Sequence, residues 1–248
     1  LVPVTLFLAS VRDEAEAELA LLARADLIDL KEPRRGALGA VDRETTMAIV
    51  SAIAGRTTVS ATIGDLPMRA EEISAAVLDR TDCGVDYVKF GLFPEADARR
   101  CLVALGPVAR SVRLIVVLFA DRLPAFDAVA TAADMGAAGV MLDTAGKTSG
   151  SLRDHLDLRK LASFVTRAKS HGLIVGLAGS LAGTMVPELL TLAPDLLGFR
   201  GALCRASRKS SLDPAACAAI RSLIPGARPA HACWPRAKLN GAAAEASC

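Results

Sequence analysis

Leu27-Ile28-Asp29-Leu30-Lys31-Glu32-Pro33 places an aspartate and a lysine two residues apart in a run of strand character, and its proline ends the element. Side chains alternate faces along a strand, so Asp29 and Lys31 share one face while Ile28 and Leu30 turn to the other. A carboxylate and an amine on one face of a buried strand make a poor core. They make a useful active site, provided the strand's C-terminal end opens into a cavity. A rim ion pair is the plainer reading of the same residues, and the rest of the chain decides between the two.

Outward from this stretch, runs of strand character recur at Val4–Ala9, Thr58–Ile63, Tyr87–Leu92, Leu114–Ala120, Val140–Asp143, Ile174–Ala178 and Leu196–Phe199. Helical stretches follow each strand, at Asp13–Arg24, Arg43–Ile53 and roughly 70–79, 95–109, 125–135, 154–170, 183–192 and 213–223. Strand followed by helix, repeated in units of about 25–30 residues, predicts an α/β chain closed as a (β/α)8 TIM barrel. The barrel is expected to fill residues 1–224 as one catalytic domain. A doubly wound open sheet is the competing architecture. It usually shows a glycine-rich phosphate turn after its first strand, and none follows Val4–Ala9. Residues 225–248 turn to an Ala- and Pro-rich composition without periodicity and read as a flexible tail.

With 52% apolar but only 4% aromatic residues, the core must be built from Val, Leu, Ile and Ala. A net charge of +2 argues against a nucleic-acid footprint. No apolar run approaches the roughly 18–20 residues of a membrane span. The six cysteines show no CxxC or His-Cys spacing, and no secretory signal opens the sequence. They read as reduced cytoplasmic thiols, and no metal site is expected. The cations are 22 Arg against 7 Lys, which makes each lysine's position informative.

In such a barrel, chemistry gathers at the C-terminal strand ends and the loops beyond them. Those ends carry Asp29, Lys31, Ser60, Thr62, Asp65, Lys89, Asp121, Asp143, Gly179, Ser180 and Arg200, with Lys147 just past Asp143. A lysine attacks carbonyls only when neutral, and desolvation and neighbouring cations both favour the neutral amine. Lys31, on a strand between apolar layers with Lys89 and Lys147 at the same mouth, would meet both conditions. Asp29 and Asp143 would balance charge or move protons. The chemistry expected is Schiff-base carbonyl chemistry. Gly176-Leu177-Ala178-Gly179-Ser180 and Gly198-Phe199-Arg200-Gly201 close the seventh and eighth strands, where such barrels commonly hold phosphate. Ser60, Thr62, Gly179, Ser180, Arg200 and Gly201 are therefore the candidate substrate and phosphate contacts. The alternative reading of the glycines is tight strand–loop turns. Glu16, with Asp13, Glu14 and Glu18, reads as a solvated helix start, and Tyr87 as either core or mouth.

The runs Ile28–Pro33, Val59–Pro67, Asp86–Leu92, Met141–Ala145, Gly176–Leu181 and Gly198–Gly201 resemble those of the (5-formylfuran-3-yl)methyl phosphate synthase family, in order and spacing across about residues 4–223. The resemblance implies a TIM-barrel lyase that condenses two molecules of glyceraldehyde 3-phosphate into a phosphorylated furan aldehyde, the first furan intermediate of methanofuran and methylofuran synthesis. It implies Lys31 as the Schiff-base lysine, Lys89 as proton acceptor, and Asp143 with Lys147 as a further catalytic pair. No cofactor or metal is implied. Glu32 and the pair Arg34-Arg35 depart from the archaeal pattern. Arg34 or Arg35 is the candidate for a second phosphate subsite. The partners expected are a phosphorylated triose and further copies of the chain in a homo-oligomer. A different Schiff-base aldolase, or a barrel that binds a phosphometabolite without catalysis, shares most of these features.

Overall fold

The computed structural model describes residues 4–122, 126–146 and 150–224. Its strands are β1 (Leu6–Val11), β2 (Leu27–Leu30), β3 (Thr58–Thr62), β4 (Tyr87–Leu92), β5 (Leu114–Phe119), β6 (Gly139–Asp143), β7 (Ile174–Leu177) and β8 (Leu196–Phe199). All are parallel and pair in chain order, with β8 returning to β1, so the sheet closes into a barrel. Helices separate successive strands and cover the outside. The tail from residue 225 and Lys147 lie outside the described residues.

Alternation within each strand divides the core into two layers. Outward residues such as Phe7, Ile28, Leu30, Val88, Phe90 and Val116 form the layer beneath the helices. Inward residues, among them Leu8, Leu27, Tyr87, Ile115, Val117 and Met141, plug the barrel interior. Tyr87 therefore belongs to the core. The plug is apolar in its lower layers and gives way to Ser10, Asp29, Lys89 and Asp143 toward the C-terminal ends, all buried.

Aspartates fasten the lower rim. Asp26, Asp86 and Asp195 stand just before β2, β4 and β8, and each accepts a backbone N–H from the second residue of the preceding strand, at 2.8 Å. Further aspartates start helices. Asp13, Asp42, Asp157 and Asp213 each accept a backbone N–H from the first turn that follows, satisfying donors that the helix itself cannot.

Three helices expected as single elements are broken. The stretch 95–109 forms Ala98–Ala104 and Gly106–Ala109, because Pro107 supplies no N–H and suits only a first helical turn. The stretch 183–192 likewise opens as a 3-10 turn before Val186–Leu190, which has Pro187 in its first turn. The third, 154–170, becomes Leu152–His155 and Leu158–Ser170, with Asp157 capping the second piece.

The interior tolerates little added volume. A Cβ at Gly139 would lie 2.6 Å from the Ile174 carbonyl oxygen, a backbone atom of the neighbouring strand. Gly139→Ala is expected to destabilise the barrel by about 1–3 kcal/mol through overpacking. The urea midpoint measures this, and an unchanged midpoint would show that β6 and β7 separate more easily than their register implies.

Candidate active site

The β2 stretch delivers its two charged groups to different partners. Lys31 Nζ donates to Asp143 Oδ2 at 3.0 Å, from the end of β2 to the end of β6. Lys89 Nζ, on β4, lies 2.6 Å from Asp29 Oδ1. Asp29 also accepts hydroxyl bonds from Ser60 (2.7 Å) and Ser10 (3.1 Å), its register neighbours on β3 and β1. Asp143 Oδ1 accepts the Thr144 N–H at 2.7 Å. All four charged side chains are at most 7% exposed, so each must have an opposite charge or strong hydrogen bonds to remain there.

The amine with a resolved perturbation is Lys89. Burial holds its pKa below the ordinary lysine range, and the nearby Lys31 cation acts in the same sense, while Asp29 and Asp143 oppose them.

Above these pairs the barrel opens into a cavity of about 940 Å3, bordered by Asp29, Lys31, Lys89, Asp143, Gly179 and Arg208 among others. That lies within the range of about 300–1,000 Å3 usual for small-molecule sites. Acidic residues from adjacent strand ends fix the loops around it. Asp65, beyond β3, accepts the N–H groups of Ala37 and Leu38 at 2.8 Å. Asp121, beyond β5, accepts those of Ala145 (2.7 Å) and Gly146 (2.6 Å), just ahead of Lys147. Burial works to raise the Asp121 pKa, and these backbone donors outweigh it, so the carboxyl stays below its usual range.

Three residues expected on phosphate have their polar groups engaged elsewhere. Ser60 donates to Asp29 below the cavity floor. The Thr62 hydroxyl lies against the Leu30 and Gly39 carbonyls at 3.2 and 3.0 Å, tying the loop after β2 to β3. Arg200 borders the cavity, but its guanidinium points into the wall. It forms an ion pair with Glu16 and donates to the carbonyls of Ser10, Arg208 and Ser210. Glu16 is accordingly 2% exposed and not a solvated helix start. Gly179, Ser180 and Gly201 do border the cavity. Gly179 (φ +105°) passes so close to β6 that a Cβ would lie 3.0 Å from the Thr144 nitrogen, which restricts that turn to glycine. Ser10 and Arg208 joined the site unannounced. Ser10 looks like an ordinary strand residue in the sequence, and Arg208 sits in an aperiodic loop rich in serine and arginine.

The 4-HFC-P synthase family model matches residues 7–221 of this chain. The chain belongs to the (5-formylfuran-3-yl)methyl phosphate synthase family. It is 45% identical over 225 residues to a Methylorubrum extorquens protein provisionally assigned that activity, covering 89% of this chain and 92% of the relative. It is 35% identical over 215 residues to the (5-formylfuran-3-yl)methyl phosphate synthase of Methanococcus maripaludis, covering 80% and 89% of the two chains. With the synthase of Archaeoglobus fulgidus it shares 33% identity over 223 residues, covering 83% and 93%. The fold has wider parallels. A phosphoribosyl anthranilate isomerase from Thermus thermophilus superposes with a TM-score of 0.64 at 18% identity, over 89% of this chain and 98% of the isomerase. At that identity the likeness concerns the barrel alone. The family makes this chain an enzyme. Among the described residues no helix is long and apolar enough to cross a membrane.

Two outcomes follow from the buried charges. Arg200→Ala is expected to destabilise the protein by about 2–4 kcal/mol, because the buried Glu16 would lose its bidentate partner and keep only the 3.4 Å ion pair with Arg12 Nε and the Arg12 backbone N–H. Chemical denaturation tests this, and a loss below 1 kcal/mol would mean that Arg12 alone suffices to hold the Glu16 charge. For Lys89, the folded chain releases its proton at lower pH than the unfolded chain, whose value is near 10.5. Between those two pKa values the unfolded chain binds more protons, so stability rises with pH there and falls as pH drops through the folded pKa. Lys89→Met should flatten that rise. Identical alkaline stability profiles for the two proteins would contradict the depressed amine.

Proposed function

We propose that this enzyme condenses two molecules of glyceraldehyde 3-phosphate through a Schiff base on Lys31, giving (5-formylfuran-3-yl)methyl phosphate, one phosphate and two waters. The observation that carries the reading is the pair of buried amines at one barrel mouth, each with its own carboxylate. Family membership supplies the product, and the geometry supports the division of labour.

Asp143, 3.0 Å from Lys31 Nζ, is the acceptor for the proton that the amine must lose before attack. Attack on the first aldehyde forms the C–N bond, and the carbonyl oxygen leaves as water. The iminium withdraws electrons from the adjacent carbon and acidifies its proton. Lys89, whose pKa burial lowers, takes that proton more readily at moderate pH than a lysine in mostly charged form. Asp29, itself fixed by Ser10 and Ser60, keeps the Lys89 amine in place through the exchange. The resulting enamine carbon attacks the aldehyde of the second triose. Loss of one phosphate and of water, with ring closure, then yields the aromatic furan and frees Lys31. Lys147, which the family resemblance pairs with Asp143, follows the 145–146 turn that Asp121 holds. The backbone turns at Gly179–Ser180 and Gly201 are the proposed first phosphate subsite, and Arg34, also on the cavity border, belongs to the second.

The test is incubation with glyceraldehyde 3-phosphate alone, following furan absorbance and released phosphate together. Borohydride should trap one substrate on Lys31, visible as an increase in intact mass. Lys31→Arg should abolish both turnover and trapping in a folded protein, since arginine keeps the charge but stays protonated and forms no imine. Turnover by folded Lys31→Arg would remove Lys31 from the covalent role.

A further inference from the structure

We propose that Arg208 is the residue that makes this site selective for a phosphorylated substrate, presenting its guanidinium fork to a phosphate dianion over the barrel mouth. The inference deepens the reading above and rests on it only in taking the substrate to be phosphorylated. It comes from following each cation on the cavity border to its partner. Lys31 and Lys89 are matched by Asp143 and Asp29. Arg200 spends its donors on Glu16 and the three backbone carbonyls that hold the wall together. Arg34 and Lys209 are exposed, where water already solvates them.

Arg208 differs from all of these. It borders the cavity and is half-buried. Among the described residues it forms no ion pair, and its one side-chain hydrogen bond is a long contact of 3.5 Å from Nη2 to the Gly36 carbonyl. A guanidinium has five N–H donors in a rigid plane, so most of them remain to be satisfied. Taking a cation partly out of water without a counter-ion is unfavourable, and burial does lower the Arg208 pKa, with the Arg200 cation adding to it and Asp143 and Asp65 opposing. The partner that would relieve this cost has to be anionic, must come from the cavity, and should offer paired oxygens. A phosphate monoester meets all three conditions.

The surrounding backbone supports this placement. The loop is pinched by a bridge between Cys204 and Leu212 and by the bonds Arg205 N–H to Ser211 O and Asp213 N–H to Leu203 O. Arg200 Nε donates to the Arg208 carbonyl at 2.9 Å, so the buried Arg200–Glu16 pair fixes the main chain from which the Arg208 side chain extends. The contact with Gly36 brings the guanidinium to the loop that follows Lys31, and Asp65 holds that loop at Ala37 and Leu38. A phosphate bound by Arg208 would therefore sit between the loops after β2 and β8, beside the lysine that attacks.

The test compares wild type with Arg208→Ala, Arg208→Lys and Arg34→Ala, each checked for native near-ultraviolet circular dichroism. The first readout is calorimetric binding of inorganic phosphate, which requires no reaction. The second is the ratio of borohydride trapping rates for glyceraldehyde 3-phosphate and for unphosphorylated glyceraldehyde. Arg208→Ala is expected to weaken phosphate binding by about ten- to hundredfold and to lower the trapping ratio by a similar factor. Arg208→Lys should recover only part of both, since it restores charge but not the fork. A merely structural loop residue would change both trapping rates together and leave the ratio alone. Unchanged phosphate affinity and ratio in folded Arg208→Ala overturn the proposal, as does a loss that appears only in Arg34→Ala. The arms also separate the two readings. Phosphate affinity lost on Arg208→Ala while wild type forms no furan and no adduct would reject the Schiff-base reading and keep Arg208. Furan formed by wild type with phosphate affinity intact in the variant would do the reverse.

Discussion

Two lysines and two aspartates share the upper interior of this barrel, and none of them is stable there alone. An isolated charge in such a place costs several kcal/mol even after relaxation, and removing one partner of a buried pair typically costs about 3–5 kcal/mol. Among the described residues the four charges balance, with Lys31 against Asp143 and Lys89 against Asp29. That balance lets one buried amine sit on β4 and the other directly at the end of β2, where packing holds both. It also keeps them available, because an amine facing its own proton acceptor can change protonation state without leaving a net charge behind.

The pairing follows from barrel geometry. Asp29 on β2 and Lys31 just past its end point to one side, yet each takes its ion-pair partner from another strand. Closure of the sheet brings other strands across the interior. Lys89 from β4 meets Asp29, and Asp143 from β6 meets Lys31. The sequence displays both charges on one face; their partners come only from the three-dimensional closure.

The same limit explains what could be read in advance and what could not. Strand–helix alternation and the parity of the β2 stretch need only local information, so the barrel and the positions of Lys31, Lys89, Asp29 and Asp143 were legible. The helix breaks at Pro107 and Pro187 are legible too, since proline suits only a first helical turn whatever the apolar periodicity around it. Long-range pairing was not. Glu16 sits in a helix start that looks solvated in sequence, yet it is the counter-ion of Arg200 across 184 residues. Arg200 ends a strand where a phosphate contact belongs by position, yet Glu16 and three carbonyls engage its donors. The rim aspartates 26, 86 and 195 carry a signal that was available, a carboxylate directly before a strand, but their acceptor role needs the neighbouring strand to be in register.

Acidic residues thus divide their work by what they face. Asp65 and Asp121 bind backbone N–H groups and so rigidify the loops after β2 and β6 without needing a cation. Glu16 takes one arginine out of circulation to brace the wall. Asp29 and Asp143 neutralise the two lysines. Of the cations at the mouth, the half-buried Arg208 is held by its own carbonyl and has no carboxylate opposite it among the described residues. On the proposed reading, a charge-balanced pair of lysines and aspartates beneath a cationic rim would draw an anionic substrate inward by its phosphate. The carbonyl of that substrate would then enter beside Lys31 at the barrel mouth, where its charge is already matched by Asp143.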